Sequence, residues 1–220
     1  MALAIFDLDN TLLAGDSDYL WGTFLCDQGI VDRDLYEQEN RRFYQEYKEG
    51  RLDIIEFLQF SLYPLSQHPL DQLQQWHRQF MRQYIDPLIT AEALALVDEH
   101  RRKGDLLMII TATNAFVTAP IAERFGINHL IATEPRIIEG RYTGEVAGEP
   151  SYRQGKVHRL EAWLQQHQQS LDGSWFYSDS HNDLPLLERV EHPVAVNPDQ
   201  ALEQRAQQHG WPIIRLHRKL

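Results

Sequence analysis

Two short apolar runs limit what this chain can fold into: LAIF at Leu3 to Phe6 and LLMII at Leu106 to Ile110, and in the gap between them about 75 residues from Gly15 to Thr90 hold no convincing strand. That segment carries helical patterns rich in Tyr, Phe, Leu and Gln. A parallel βαβ crossover needs only a dozen or more residues, so the segment is too long to be a simple connection. It reads as an inserted helical domain.

The rest of the chain alternates apolar runs with amphipathic stretches, the signature of βαβ units and a parallel sheet. Further strands are expected at His129 to Ala132, Trp175 to Tyr177, Val194 to Val196 and Ile213 to Leu216. Helices are expected at Ala115 to Phe125, Gly155 to Gln168, Leu184 to Arg189 and Asp199 to His209. The fold class is therefore α/β, a doubly wound parallel sheet with an inserted helical cap. Residues 1–14 and 88–220 are expected to form the core domain, and residues 15–87 the cap domain. IIEGRYTGEV, Ile137 to Val146, has glycines at turn positions between β-prone runs and predicts a small hairpin.

A length of 220 residues suits one substantial core plus an insert. With 32 acidic residues against 21 basic ones the formal charge is -11, and no basic run tracks a phosphate backbone. Nucleic acid is not an expected partner. The single cysteine, Cys26, rules out an intramolecular disulfide and is expected to fill a helix face in the cap. Met1 leads straight into strand-like sequence without the features of a signal peptide, which makes the cytoplasm the expected location. No apolar run approaches the roughly 18 residues that a membrane-spanning helix needs, so no membrane is expected as a partner. The pattern carries no signal for oligomeric state.

In open α/β sheets ligands sit beyond the carboxyl ends of the strands, and three expected strands end in polar residues suited to one reaction. The first ends at Asp7 and Asp9 of AIFDLDNTLL, the second at Thr111, Thr113 and Asn114 of IITATN, and a later one at Asp179 and Asp183 of YSDSHNDLPLL. Lys156 of RQGKVHRL stands at an expected helix start. Carboxylates facing one point repel and resist ionising unless a cation neutralises them. Mg²⁺ does this with about six oxygens, of which one or two are usually carboxylates, leaving places for water and a substrate phosphate. Asp7, Asp179 and the backbone carbonyl of Asp9 are the candidate ligands, with Lys156 and the Thr111 hydroxyl left to contact a phosphoryl group. In-line phosphoryl transfer rests on positioning and charge neutralisation, and an aspartate nucleophile is one route to it.

In this order FDLDNT, TATN, GK and SDSHND resemble the four motifs of the haloacid dehalogenase (HAD) superfamily, in particular its phosphoserine-phosphatase-like branch, whose helical cap follows the first motif. The resemblance implies a Rossmann-like core with Asp7 as nucleophile and Asp9 as general acid and base. It implies that Thr111, Ala112 and Lys156 hold phosphate, that Asp7, Asp9 and Asp179 hold Mg²⁺, and that Asp183 and Asn182 support the metal from behind. It also aligns Asp16 with the acidic residue that reads the substrate amino group. Two departures stand out. Thr111-Ala112-Thr113 replaces the usual Ser-Gly-Gly, and Ser61 aligns with the arginine that binds the substrate carboxylate.

The expected function is a Mg²⁺-dependent phosphomonoesterase acting on a small phosphorylated metabolite. A phosphotransferase or phosphomutase would use the same aspartyl-phosphate. A receiver-type signalling module also phosphorylates an aspartate beside Mg²⁺, but is roughly half as long and has no cap. Ser61 removes a partner for a carboxylate, and Asp16 and Asp18 make the cap mouth acidic, which suits a cationic leaving group. Histidinol phosphate is expected to be preferred over phosphoserine, with a lysophospholipid or sugar phosphate as alternatives. Asp16 and Asp18 equally suit the first turn of a helix, where acidic side chains favour the dipole. His181 is expected either on a plain surface loop or at the substrate. Tyr19, Trp21, Phe24, Phe57, Phe60 and Tyr63 are expected mostly in the cap core, with one or two walling the pocket.

Overall fold

The computed structural model describes residues 2–217. Strands β1 (Leu3–Phe6), β2 (Leu106–Asn114), β3 (His129–Thr133), β6 (Trp175–Ser178), β7 (His192–Val196) and β8 (Ile213–Ile214) form one parallel sheet in the order β3-β2-β1-β6-β7-β8. From β1 the chain winds outward through β2 and β3, then returns to lay β6 against the other side of β1. The strand order reverses between β1 and β6, which is where open α/β sheets bind their ligands. β1 is buried along its whole length because helices cover both faces, so LAIF shows no alternation.

The inserted segment folds as α1 (Ser17–Asp27), α2 (Arg33–Lys48), α3 (Ile54–Gln67) and α4 (Leu70–Phe80). Asp16, Asp32 and Asp53 cap the first three by accepting backbone N–H groups. A single antiparallel bridge between Leu13 and Ile89 closes the neck where the chain leaves the sheet and returns. It then runs into α5 (Ala91–Lys103), which ends at Gly104 with φ 77, the left-handed stop that glycine adopts without strain. Trp21, Phe24 and Phe80 of the inserted helices share one apolar cluster with Phe6 and with Val117 and Ile121 of α6 (Ala115–Arg124). A second cluster on the other sheet face joins Ile5, Met108 and Phe176 to Val157 and Leu160 of α7 (Gln154–His167).

The expected hairpin is present as β4 (Pro135–Ile138) and β5 (Arg141–Val146), off the main sheet and packed against α3. Gly144 has φ 83, a left-handed conformation that favours glycine, and lies against Ser66 of α3. The chain closes with α8 (Leu184–Leu187) and α9 (Gln200–His209). Several boundaries differ from the sequence reading, most by one residue. The larger shifts are that β2 continues past Ile110 to Asn114 through a register shift against β3, β7 starts at His192, before Val194, α8 stops at Leu187, short of Arg189, and β8 ends at Ile214, short of Leu216. Among the described residues no helix is long and apolar enough to cross a membrane.

Candidate active site

The carboxyl end of β1 delivers Asp7 beside β6, its N–H donating to the Tyr177 carbonyl at 2.9 Å. The chain then turns tightly through Leu8–Leu12, with Asn10 in the left-handed region at φ 57. That turn brings Thr11 back under the strand end. The Thr11 hydroxyl lies 3.2 Å from Asp7 Oδ2 and 3.3 Å from Asp179 Oδ1, and it accepts the Asp179 N–H at 3.0 Å. One hydroxyl thus holds two carboxylates from neighbouring strands at a common point. Lys156, buried in the first turn of α7, donates to Asp7 Oδ1 at 2.8 Å and to Asp183 Oδ2 at 2.9 Å. Ser178 steadies Asp183 from behind at 2.7 Å.

Asp9 is positioned separately. Its Oδ1 accepts the Ser17 N–H at 2.6 Å, while its Oδ2 accepts the Thr113 hydroxyl at 2.8 Å and lies 3.4 Å from the Thr111 hydroxyl. The extension of β2 beyond Ile110 is what brings both threonines to this carboxylate.

Charge is out of balance here. Burial pushes the Asp7 carboxyl up to about 7, with Asp183 and Asp9 adding to the rise against the opposing Lys156. Asp179 sits well above the ordinary carboxylate range, through burial and then the nearby Asp7 and Asp183. Burial alone would lower the Lys156 ammonium, yet Asp183 and Asp7 override it and raise its pKa. Among the described residues no group of three His, Cys, Asp or Glu side chains is arranged to hold a metal. The site instead offers two converging carboxylates with excess negative charge, and an all-oxygen donor set of that kind suits Mg²⁺, which commonly takes one or two carboxylates and keeps its other places for water and phosphate.

Over Asp7 and Asp9 the cap helices close a pocket whose walls are Tyr19, Phe43, Tyr44, Tyr47, Phe57 and Tyr152, with Asn40, Asp16 and Asp18 among them. Thr111, Ala112 and Thr113 form its floor. Among the described residues no lysine or arginine lines it. Burial and the Asp9 charge push Asp16 up to about 7, and burial with Asp16 and Asp9 raises Asp18 well above its usual range.

Residues 4–188 match the family description of haloacid dehalogenase-like hydrolases. The chain belongs to that family. A relative named histidinol-phosphatase, from Neisseria meningitidis serogroup C, is 45% identical over 96% of this chain and 97% of its own length. A phosphoserine phosphatase from Mycobacterium tuberculosis is 31% identical over 96% of this chain and 70% of its own length. Among solved structures, a protein of unknown function from Bordetella pertussis Tohama I superimposes with a TM-score of 0.93 at 45% identity, over 98% of this chain and 99% of that one. A phospho-aspartyl intermediate analogue of phosphoserine phosphatase shares the fold at a TM-score of 0.73 and 19% identity, over 99% of this chain and 94% of that one. Together the family match and the phosphatase relatives identify a HAD phosphoric monoester hydrolase.

All four HAD motifs read in the sequence meet at this one sheet edge. Asp16 lines the pocket and also caps α1 at Tyr19 N–H, 2.9 Å away. Asn182 does not reach the carboxylate cluster by any hydrogen bond. It clasps the cap instead, donating to the Tyr47 carbonyl at 3.1 Å and accepting from Arg153 Nε at 2.9 Å, while Arg153 also donates to the Gly50 carbonyl. His181 stays out of the pocket wall and pairs with Asp199, ring Nδ1 to Oδ2 at 2.7 Å. Ser61 is buried within α3 and does not line the pocket, so the absence of a cation there is a property of the whole wall. Tyr19 and Phe57 wall the pocket, whereas Trp21 and Phe24 are core and Tyr63 is exposed. Sequence reasoning missed Thr11, Asn40, Phe43, Tyr44, Tyr47, Tyr152 and Arg153. Of these only Thr11 carried a signal, four residues after the nucleophile candidate and inside the first motif.

Proposed function

We propose that the protein hydrolyses a small phosphomonoester with a cationic leaving group, histidinol phosphate in the first place, through an aspartyl-phosphate on Asp7. One observation carries the substrate reading: the pocket above Asp7 is walled by aromatic rings, holds Asp16 and Asp18, and among the described residues has no lysine or arginine. Such a wall attracts an imidazolium or ammonium through its carboxylates and ring faces and repels a second carboxylate. Phosphoserine carries that carboxylate. The 45% identical relative named histidinol-phosphatase supports the same choice.

The Asp7 carboxylate attacks phosphorus as the bond to the leaving oxygen breaks, and Asp9, protonated, gives its proton to that oxygen. Water then gives a proton to Asp9 and attacks phosphorus, the bond to Asp7 breaks, and inorganic phosphate leaves with Asp7 restored. Thr113 and the Ser17 N–H hold Asp9 in one orientation for both steps. Lys156, charged and fixed on Asp7, neutralises part of the phosphoryl charge, and Thr111 with the backbone at Ala112 lies on the floor where phosphate would rest. Mg²⁺, held by Asp7, Asp179 and the Asp9 carbonyl, would supply Lewis-acid stabilisation of the phosphoryl oxygens. Residues 15–87 act as the cap that excludes bulk water and reads the leaving group. The deciding experiment is kcat/KM for histidinol phosphate against phosphoserine and a panel of neutral phosphomonoesters. A preference for phosphoserine or for neutral esters refutes the substrate reading.

A further inference from the structure

Four carboxylates line the pocket, and three are engaged. Asp7 is bonded to Lys156 and Thr11, Asp9 to Thr113 and the Ser17 N–H, and Asp16 to the Tyr19 N–H that it caps. The Asp18 carboxylate has no hydrogen bond and no ion pair among the described residues. Nothing in its placement as a first-turn residue requires that, since Asp16 already caps the helix.

The backbone geometry explains where Asp18 faces. Gly22 lies one helical turn further along α1, and a Cβ there would stand 2.8 Å from both Asn40 Nδ2 and Tyr36 Cε1 of α2. Residues four apart share a helix face, so Asp18 is on the side of α1 that α2 covers. Glycine at 22 lets α2 approach until Asn40 Nδ2 donates to the Tyr19 carbonyl at 3.1 Å. Asp18 thereby lines the pocket, half-buried, with Tyr19, Phe43 and Phe57, and among the described residues no basic side chain lines the same space. A half-buried carboxylate without a counter-charge bears part of the cost of desolvation. An incoming cation removes that penalty.

We propose that Asp18 is the specificity-determining residue of this pocket, forming an ion pair with the ammonium or imidazolium of the leaving group, while Asp16 serves to orient α1 and the loop that carries Asp9. The assignment rests on reading the pocket as the leaving-group site of a phosphomonoesterase. It differs from the family alignment, which points to Asp16.

The test compares 2-aminoethyl phosphate with ethyl phosphate, esters that differ in their cation, in wild type, Asp18→Asn and Asp16→Asn. Its readout is the ratio of the two kcat/KM values, so any general loss of activity cancels. In wild type the ratio favours the cationic ester. Asp18→Asn should lower the ratio by about tenfold or more, the size of one charge-assisted hydrogen bond, and mainly through KM. Asp16→Asn, which keeps a good helix cap, should lower it by less than about threefold. A wild type without cation preference, a ratio unchanged in Asp18→Asn, or an equal fall in Asp16→Asn overturns the proposal. Binding separates this from failure of the phosphatase reading. Histidinol phosphate is titrated calorimetrically into Asp7→Asn, which cannot form the aspartyl-phosphate, and into Asp7→Asn/Asp18→Asn. Affinity about tenfold weaker in the double variant upholds Asp18 even if no ester is turned over, and equal affinity overturns it.

Discussion

Replacing Lys156 by methionine would expose the electrostatic logic of the site in a stability measurement. Methionine keeps an unbranched chain but removes the ammonium that donates to Asp7 at 2.8 Å and Asp183 at 2.9 Å, both buried. Deleting one partner of a buried ion pair costs about 3–5 kcal/mol, because the remaining charge is left without compensation. At about 2–4 °C of Tm per kcal/mol for a chain of this size, Tm should fall by about 6–20 °C. The pH dependence has a definite sign. In the folded protein Asp7 is pushed up to about 7, mainly by burial, from the ordinary 3.8. The folded state therefore keeps a proton that the unfolded chain has released, and this group's contribution to stability falls as pH rises from about 4 to 7. Loss of Lys156 raises the Asp7 carboxyl further and enlarges that penalty above neutrality, so the variant's deficit should be larger at pH 8 than at pH 5. Urea and thermal melts of both proteins in EDTA at the two pH values measure it. A deficit below about 1 kcal/mol at pH 8, or the same deficit at pH 5, would refute the reasoning.

Asp7→Asn should abolish turnover with the melt little changed, and near-native activity would remove Asp7 as nucleophile. Asp9→Asn should slow turnover by about 10² to 10⁴, the usual worth of general acid and base catalysis, and a loss under tenfold argues against that role. Chelation by EDTA should remove activity and lower Tm more at pH 8 than at pH 5, with Mg²⁺ restoring both, since Asp7 and Asp179 then lose the cation that offsets their charge. Gly50→Ala would place a Cβ 2.7 Å from His181 Nε2 and 2.9 Å from Arg153 Nη2 at φ +67, so it should loosen the clasp on the cap. Expected is a several-fold fall in kcat/KM with a Tm loss of a few degrees, read from kinetics and melts on one preparation, and unchanged kinetics would show that the clasp does not govern the pocket.

The sheet was legible because its strands are buried on both faces and therefore appear as unbroken apolar runs, as LAIF and LLMII do. The motif residues were legible for a different reason: each directly follows such a run or opens a helix, so the topology carries it to the reversal between β1 and β6. Thr111 to Asn114 escaped the strand reading because TATN lacks the apolar character of the run before it, although a polar strand end is what a catalytic edge requires. The pocket wall was hardly legible. Tyr44, Tyr47 and Phe43 lie on α2 and Tyr152 precedes α7, and their meeting depends on how α2 closes over the sheet, which no local pattern encodes. Asn182 shows the limit of reading by adjacency. One residue from Asp183, it turns the other way and bonds to the cap.

The β4–β5 hairpin adds a further link between cap and core, which already share an apolar cluster and the Asn182 clasp. At one end it lies on α3, with Gly144 against Ser66. At its root, Thr133 donates to the Ala112 carbonyl at 2.8 Å and accepts the Ser151 N–H at 3.0 Å, five residues before Lys156. The hairpin is thus a strut with one foot on the lid and the other on the phosphate cradle. Through it α3 is connected, by way of Thr133, to the floor at Ala112 and to the segment that leads into α7. In the reaction proposed above, such a link would tie departure of the leaving group to departure of phosphate, through a hairpin that carries no catalytic group.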